Sequence, residues 1–393
     1  MRETEPLLQS ERKAVFALCF VYGLRMLGLF FIMPVIVYDL QENDPIDVGL
    51  KAGFVIGAYG ITQAIFQIPF GILSDFFGRK RVIVAGLLLF SLGSFFAAVS
   101  TNTTELIVAR LVQGMGAISS VVTAFLADLT RPKIRTKAMA FVGLSIGIAF
   151  ILALVISPIT YSFVGLNGLF FIVSLLGIFA VLVVLGIKET KNSVSTKIVE
   201  SYNFRNFSFQ LIILFFSIFI LMTIQAALFI VIPLYFLDFG YQIQDHWKIY
   251  LPVLCFAFLG IIWPIKKITR DGKQRLFFIF SIFLLMLSVW SFGQFSENQG
   301  IFLLSLVFYF LGFNLLEAIL PSWVSILSAL ESRGFSLAIY NTFQAIGIFF
   351  GGTIGGLLFE KYGFDGIIYL CLILSFFWIG ISLRLKKDGS TGK

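Results

Sequence analysis

Three ionisable side chains lie deep inside long apolar segments of the sequence: Arg25, Arg110 and Glu317. A charged side chain at the centre of a bilayer costs at least about 2.5 kcal/mol, so such positions are typical of proton relays and substrate pathways. Glu317 is the only carboxyl among them, and burial favours the neutral form of a carboxyl. One hypothesis makes Glu317 a proton carrier with Arg25 and Arg110 as coupling partners. The alternative is a permanent ion pair between Glu317 and one arginine, which would only hold helices together.

Uncharged polar side chains recur within the same apolar segments. Tyr59, Gln63 and Gln67 repeat every four residues, so a helix would carry them on one face. The full set of predicted cavity residues is Tyr22, Arg25, Tyr59, Gln63, Gln67, Gln113, Gln225, Asn314, Glu317, Asn341 and Gln344. Each amide alone could be hydrogen-bonding glue between helices. Together with 48 Phe residues, they favour a roomy amphipathic cavity for organic molecules.

The composition excludes a soluble enzyme. Hydrophobic residues make up 59% of the chain and charged residues 13%, about half the charged fraction of a typical globular protein. The single histidine, the three widely spaced cysteines and the lack of a GxxxxGK[ST] loop predict no metal site, no cofactor and no ATP hydrolysis. His246, near the end of an apolar segment, is expected at the surface.

Twelve apolar runs approach the length that a helix needs to cross a bilayer, about 20 residues. They are 14–37, 52–73, 82–99, 106–127, 138–159, 169–187, 208–236, 249–265, 276–291, 301–327, 335–358 and 367–383. Because a spanning backbone must satisfy its own hydrogen bonds and nothing alternates like a barrel strand, the prediction is an all-α membrane protein with twelve transmembrane helices.

The basic residues predict the orientation of these helices. With the N-terminus placed in the cytoplasm, 24 of the 29 Lys and Arg residues fall in cytoplasmic segments, and only Lys51, Lys248 and Lys361 fall in external loops. This asymmetry indicates that both termini are cytoplasmic. The net charge of +8 is spread over seven short segments, which argues against nucleic acid as a partner.

The longest polar gap divides the chain into two sets of six helices. The predicted organisation is a cytoplasmic N-terminus (1–13), a first bundle (14–187), a linker (188–207), a second bundle (208–384) and a cytoplasmic tail (385–393). A shift of 198 residues places Gly114 on Gly312 and Gly165 on Gly363, which indicates an internal repeat. Two repeated six-helix halves are a transporter architecture with its site at their interface. One chain holds both halves, so we expect a monomer.

The segment GILSDFFGRKR (71–81) resembles the signature loop of the major facilitator superfamily. The resemblance implies that Asp75 meets the N-terminus of a helix in the opposite half, where the helix dipole is positive, and latches one conformation. The implied latch residues are Gly71, Asp75, Gly78, Arg79 and Asp128. The alternative is that Arg79, Lys80 and Arg81 only anchor the loop on the cytoplasmic side.

Three further segments resemble the 12-helix drug/proton antiporter branch of that superfamily. They are LGLFFIMPVI (27–36), RLVQGMGA (110–117) and GLSIG (143–147), the last followed by Ser157-Pro158. Ser157 stands where the branch usually has Gly, and the closing glycines are absent. The resemblance covers almost the whole chain and implies proton coupling at Arg110. A soluble C-terminal domain found in one member of the branch is not expected here, since the chain stops soon after Leu383.

The sequence thus predicts a secondary active transporter in a bacterial cytoplasmic membrane. It would export drug-like or metabolite-like organic molecules in exchange for protons by alternating access. An uptake symporter, a facilitator and a dedicated exporter of one metabolite, such as a siderophore, remain alternatives of the same fold. A multi-span enzyme or sensor would need a clustered nucleophile, metal ligands or an output domain, none of which the sequence contains.

Overall fold

The computed structural model describes residues 8–131, 134–187, 207–328 and 333–385, and these residues form helices without a strand. The helices are α1 (Gln9–Phe30), α2 (Ile36–Asn43), α3 (Val48–Phe77), α4 (Arg79–Ala98), α5 (Thr103–Met115), α6 (Ser119–Asp128), α7 (Arg135–Leu185), α8 (Phe209–Asp238), α9 (Trp247–Asp271), α10 (Gln274–Gln294), α11 (Gln299–Leu327) and α12 (Arg333–Ser382). The predicted linker lies outside the described residues except for Phe207, as do residues 1–7 and 386–393.

Ten helical segments in the described part of the chain are long and apolar enough to cross a membrane. Two of them, Phe141–Leu185 and Gly334–Ser382, contain 45 and 49 residues. At 1.5 Å per residue each exceeds about 65 Å, twice the hydrocarbon thickness. Each is interrupted by a glycine with positive φ, Gly165 at 66° and Gly363 at 61°, and these two glycines are one of the pairs that the repeat aligns. Each long helix therefore supplies two of the twelve predicted spans.

The first predicted span is not continuous, because the chain breaks between α1 and α2 beside Pro34. The Val35 N–H bonds the Ile32 carbonyl there instead of the Phe31 carbonyl. The Ser157 hydroxyl donates to that Phe31 carbonyl from α7. A serine at this position therefore satisfies a backbone acceptor that the break leaves free.

In each half, a basic side chain from another helix donates to carbonyls at the C-terminal end of the last helix. Lys80, in the first turn of α4, donates to the carbonyls of Leu185 and Ile187 at 2.7 and 2.8 Å. Arg275, in the first turn of α10, donates to the Leu383 carbonyl at 2.7 Å. Cations at these helix C-termini also oppose the negative end of the helix dipole. We call this end of the molecule, where α3, α6, α9 and α11 finish, the basic end, and the other the far end.

Candidate transport site between the two halves

Glu317 lies in α11, ten residues before the helix finishes at Leu327, which is about 15 Å from the basic end. Its side chain is partly exposed, yet its Oε1 is buried and finds no hydrogen-bond partner within the described ranges. No Lys, Arg or His nitrogen of the described residues lies within 4.0 Å of it. Tyr22 of α1 and Tyr340 of α12 lie within electrostatic range of this carboxyl. The carboxyl is therefore within electrostatic range of a tyrosine from each half of the protein.

Arg25 of α1 bridges α5 and α6, the two helices into which the fourth predicted span (106–127) divides. Its Nε donates to the Gly116 carbonyl at 3.1 Å and its Nη1 to the Ser119 hydroxyl at 2.7 Å, on either side of the gap between α5 and α6. The side chain is 1% exposed, and its Nη2 is buried and has no hydrogen-bond partner in the described part of the chain. The predicted alternative of a permanent Arg25–Glu317 ion pair is wrong for this conformation, since the two groups do not meet.

Arg110 is fully buried within the first half. Its Nε donates to the Val55 carbonyl at 3.2 Å, its Nη1 donates to the Gln113 amide oxygen, and its guanidinium lies 4.6 Å from the centre of the Tyr59 ring. Gln113 in turn donates to the Ser94 hydroxyl at 2.7 Å. The structure therefore places Arg110 and Gln113 in the packing of α3, α4 and α5, and not with the polar groups of the second half.

Most of the remaining predicted cavity residues are buried and lack protein partners for at least one polar atom. In structures most buried polar groups are hydrogen-bonded to protein or water, so each of these atoms is a candidate to bind water or a ligand. The atoms without a partner include Tyr59 Oη, Gln63 Oε1, both Gln67 amide atoms, Gln225 Nε2 and Asn314 Nδ2. Asn341 and Gln344 are also buried, and the Gln344 amide approaches the Met222 sulfur at 3.9 Å.

The predicted latch residues lie together at the basic end of the first half. Arg79 forms an ion pair with Asp75, four residues earlier, and with Asp128 of α6 at 3.2 Å. Gly78, with φ at 92°, provides the turn between α3 and α4 that directs Arg79 toward both carboxylates. These contacts fix α3, α4 and α6 relative to one another. Contact between Asp75 and the opposite half stays a prediction.

The two halves close tightly against each other at the far end. A Cβ on Gly60 of α3 would lie 2.7 Å from the Ala345 carbonyl of α12, and one on Gly352 of α12 would lie 2.7 Å from the Gly53 carbonyl. The helix backbones therefore touch where small residues permit it. The Glu360 carboxylate accepts a hydrogen bond from the Gly49 N–H at 3.2 Å, at the first turn of α3. This acid satisfies an N–H that the helix leaves free.

An aromatic cluster joins the halves nearer the middle of the bundle. Phe150 of α7 lies 6.1, 5.9 and 5.6 Å, between ring centres, from Phe229, Phe310 and Phe313 of the second half. Nothing in the local sequence pattern distinguishes Phe150, Tyr340 or Glu360 from their neighbours, so their positions at the interface were not predictable from the sequence.

His246 corrects one prediction. It was expected at the surface, but it is fully buried, with its ring 5.1 Å from that of Phe236. The short 3₁₀ turn Ile243–Asp245, which no hydropathy pattern signals, folds it inward.

A family comparison gives the same assignment as the twelve apolar spans, the repeated glycine breaks and the loop at 71–81. Residues 18–352 match the sequence model of the Major Facilitator Superfamily. The chain belongs to this superfamily. As a major facilitator protein it is a membrane transporter, and the predicted fold is confirmed.

Curated relatives and a solved structure support this assignment. The chain is 33% identical over 384 residues to the inner membrane transport protein YajR of Escherichia coli, covering 96% of this chain and 84% of the relative. It is 27% identical to multidrug resistance protein 1 of Bacillus subtilis, covering 85% and 86%, and to the quinolone resistance protein NorA of Staphylococcus aureus, covering 95% and 97%. The human organic anion transporter MFSD10 has the same fold, with a TM-score of 0.74 at 16% identity over 96% of this chain and all of that one.

Proposed function

We propose that this major facilitator protein exports amphipathic organic molecules in exchange for protons, and that Glu317 is the group that exchanges. The observation that carries the proposal is the state of this carboxyl: it lies deep in α11, is partly exposed, has no cationic partner among the described residues, and is within electrostatic range of Tyr22 and Tyr340. The names of the multidrug and quinolone resistance relatives point to the same class of activity.

A carboxyl without a fixed partner can take either of two partners in turn. When neutral, it carries a proton and needs no counter-charge. When ionised in a low-dielectric interior, it requires a cation or hydrogen-bond donors to offset the loss of hydration. A substrate that brings such a group favours the ionised form, so substrate binding and proton release are linked. A carboxyl locked to Arg25 could not alternate in this way.

The arginines have supporting roles in this proposal. Arg25 bridges the break between α5 and α6, and Arg110 binds the Val55 carbonyl of α3. Both hold helices of the first half in fixed positions around the site. We propose that the Nη2 of Arg25 is available to an acceptor group of a bound substrate, since it has no acceptor among the described residues.

Reconstituted vesicles test the exchange directly. Vesicles that are acidic inside should accumulate ethidium, a permanent cation, or norfloxacin, a quinolone, above protein-free vesicles, and an uncoupler should abolish the accumulation. Glu317→Gln should lose this pH-driven accumulation because an amide cannot release a proton. It should retain exchange of labelled for unlabelled probe, because the cavity keeps its shape.

Glu297→Gln is the matched control, since Glu297 is an exposed carboxyl at the far end. It should behave as the unaltered protein in both assays. Full pH-driven accumulation by Glu317→Gln would remove Glu317 from the mechanism. Probe accumulation that ignores the pH gradient in the unaltered protein would favour a facilitator instead.

A further inference from the structure

A deep groove opens on the lipid-facing side of the second half, between α10 and the last span of α12. It encloses about 960 Å³ and is lined by Phe283, Met286, Leu287 and Trp290 of α10, by Leu372, Ile373, Phe376, Phe377, Gly380 and Ile381 of α12, and by Arg384. All but one of these residues are apolar. The exception, Arg384, follows the last turn of α12 at the basic end.

The groove is long enough for a complete acyl chain. Arg384 lies two residues beyond the end of α12, whereas Trp290 lies sixteen residues into α10, about 24 Å from the same end. One leaflet of hydrocarbon is about 15 Å thick. The groove therefore extends from the headgroup level at the basic end past the middle of the bilayer.

Glycine creates the opening of the groove. Gly380 is exposed, and a Cβ built on it would meet no atom of the described residues within 4 Å. Phe376 and Phe377, 76% and 57% exposed, stand one turn away. The space beside Gly380 is thus bounded by aromatic side chains and lies one turn from Arg384.

The charge at the mouth of the groove specifies the occupant. Arg384 is exposed, and no carboxylate of the described residues lies within 4.0 Å of it. Arg275 is held beside it by the hydrogen bond to the Leu383 carbonyl. Guanidinium groups bind phosphate with paired, charge-assisted hydrogen bonds, and basic pockets between transmembrane helices bind anionic lipid headgroups.

We propose that this groove is a binding site for an anionic phospholipid, with the phosphate at Arg384 and one acyl chain in the space beside Gly380. An anionic lipid fits both features, the apolar groove and the basic mouth. A zwitterionic lipid leaves the mouth with excess positive charge. Free phosphate leaves the groove without an apolar ligand.

Native mass spectrometry of the purified full-length protein in neutral detergent tests the proposal. The unaltered protein should bind phosphatidylglycerol at least about five-fold more tightly than phosphatidylcholine, the effect of roughly one basic contact. Arg384→Gln should remove this preference. Gly380→Leu should weaken binding of phosphatidylglycerol by a similar factor, because its side chain fills the groove while a helix tolerates leucine better than glycine.

Two controls match these substitutions. Arg270→Gln removes another strongly exposed arginine of the basic end, and Gly143→Leu adds the same side chain at an exposed glycine of α7 with no neighbour within 4 Å. Both should bind phosphatidylglycerol as the unaltered protein does. Equal binding of the two lipids, or binding that Gly380→Leu and Gly143→Leu reduce alike, would overturn the proposal. Retention of inorganic phosphate without lipid would show an ion site at Arg384 and also overturn it.

Discussion

A single added methyl group at Gly53 should open the far end of this transporter. A Cβ on Gly53 would lie closer than 3.0 Å to the Gly352 carbonyl oxygen and 3.1 Å from the Gly356 Cα. Both atoms belong to the α12 backbone, so no side-chain rotation relieves the clash and the two helices must separate. In a conformation where α3 and α12 are already apart, the methyl group meets no such obstacle.

The size of the shift in the conformational equilibrium follows from the steric cost that only the closed conformation bears. Overpacking a tight contact costs about 1–3 kcal/mol, and here only the closed far end bears the cost. The gain in helix propensity of Ala over Gly, about 1 kcal/mol, is the same in both conformations and cancels. A differential of about 1–3 kcal/mol changes the ratio of the two conformations by about 5- to 150-fold.

Distance measurement between spin labels provides the assay. Ile46, 70% exposed before α3, and Lys361, exposed in α12, lie on different halves at the far end. With labels at these positions in a cysteine-free background, Gly53→Ala should increase the population of long distances. Proton-coupled accumulation should fall, because the transporter would dwell in one conformation.

Gly351→Ala is the matched control for this experiment. A Cβ there would lie 2.8 Å from the Thr223 Cα of α8 and closer still to its carbonyl oxygen, so the overpacking is comparable. Both helices belong to the second half, and the cost falls equally on both conformations. An unchanged distance distribution for Gly53→Ala, or an equally large shift for Gly351→Ala, would show that this contact does not hold the far end closed.

Three further substitutions test local features by thermal unfolding of the purified protein. Ser157→Ala should lower the unfolding midpoint, since it leaves the Phe31 carbonyl without its donor, a loss of about 1–3 kcal/mol; an unchanged midpoint would mean that water replaces the hydroxyl. Gly165→Ala should cost about 1–3 kcal/mol, because φ is 66° and ψ is −174° there, a conformation essentially restricted to glycine, and a midpoint at or above that of the unaltered protein would contradict the strained turn. The Lys51 ammonium holds the pKa of Asp44 below its ordinary value, so the contribution of this carboxylate to stability is present above its unfolded pKa and is lost as the pH falls through its lower folded value. Asp44→Asn should therefore flatten the dependence of the midpoint on acid pH, and an equally steep dependence would assign it to other groups.

Much of the candidate site followed from the sequence because a bilayer penalises charge. Glu317, Arg25 and Arg110 could be singled out without a structure, since few forces other than function or pairing keep an ionisable side chain in an apolar segment. The sequence did not show whether function or pairing keeps each of these side chains in its apolar segment. Arg110 could pair with the Val55 carbonyl only once α3 and α5 were packed together, and the repeat pattern does not give their rotation.

The sequence by itself determined that this protein lies in a bilayer, how many times the chain spans it, and that its two halves repeat. These properties depend on local quantities: the length of apolar runs, the positions of basic residues and the glycines repeated at 165 and 363. A hydrocarbon environment leaves a spanning chain hardly any choice except a helix, so composition sufficed.

Only the tertiary structure decided which polar groups satisfy one another. It separated Glu317 from both arginines, buried His246, and brought Gly53 against Gly352 across almost 300 residues of chain. The physical reason is that helix packing within a membrane depends on shape and hydrogen-bond geometry between distant segments, and not on hydrophobicity, which is nearly uniform along all of them.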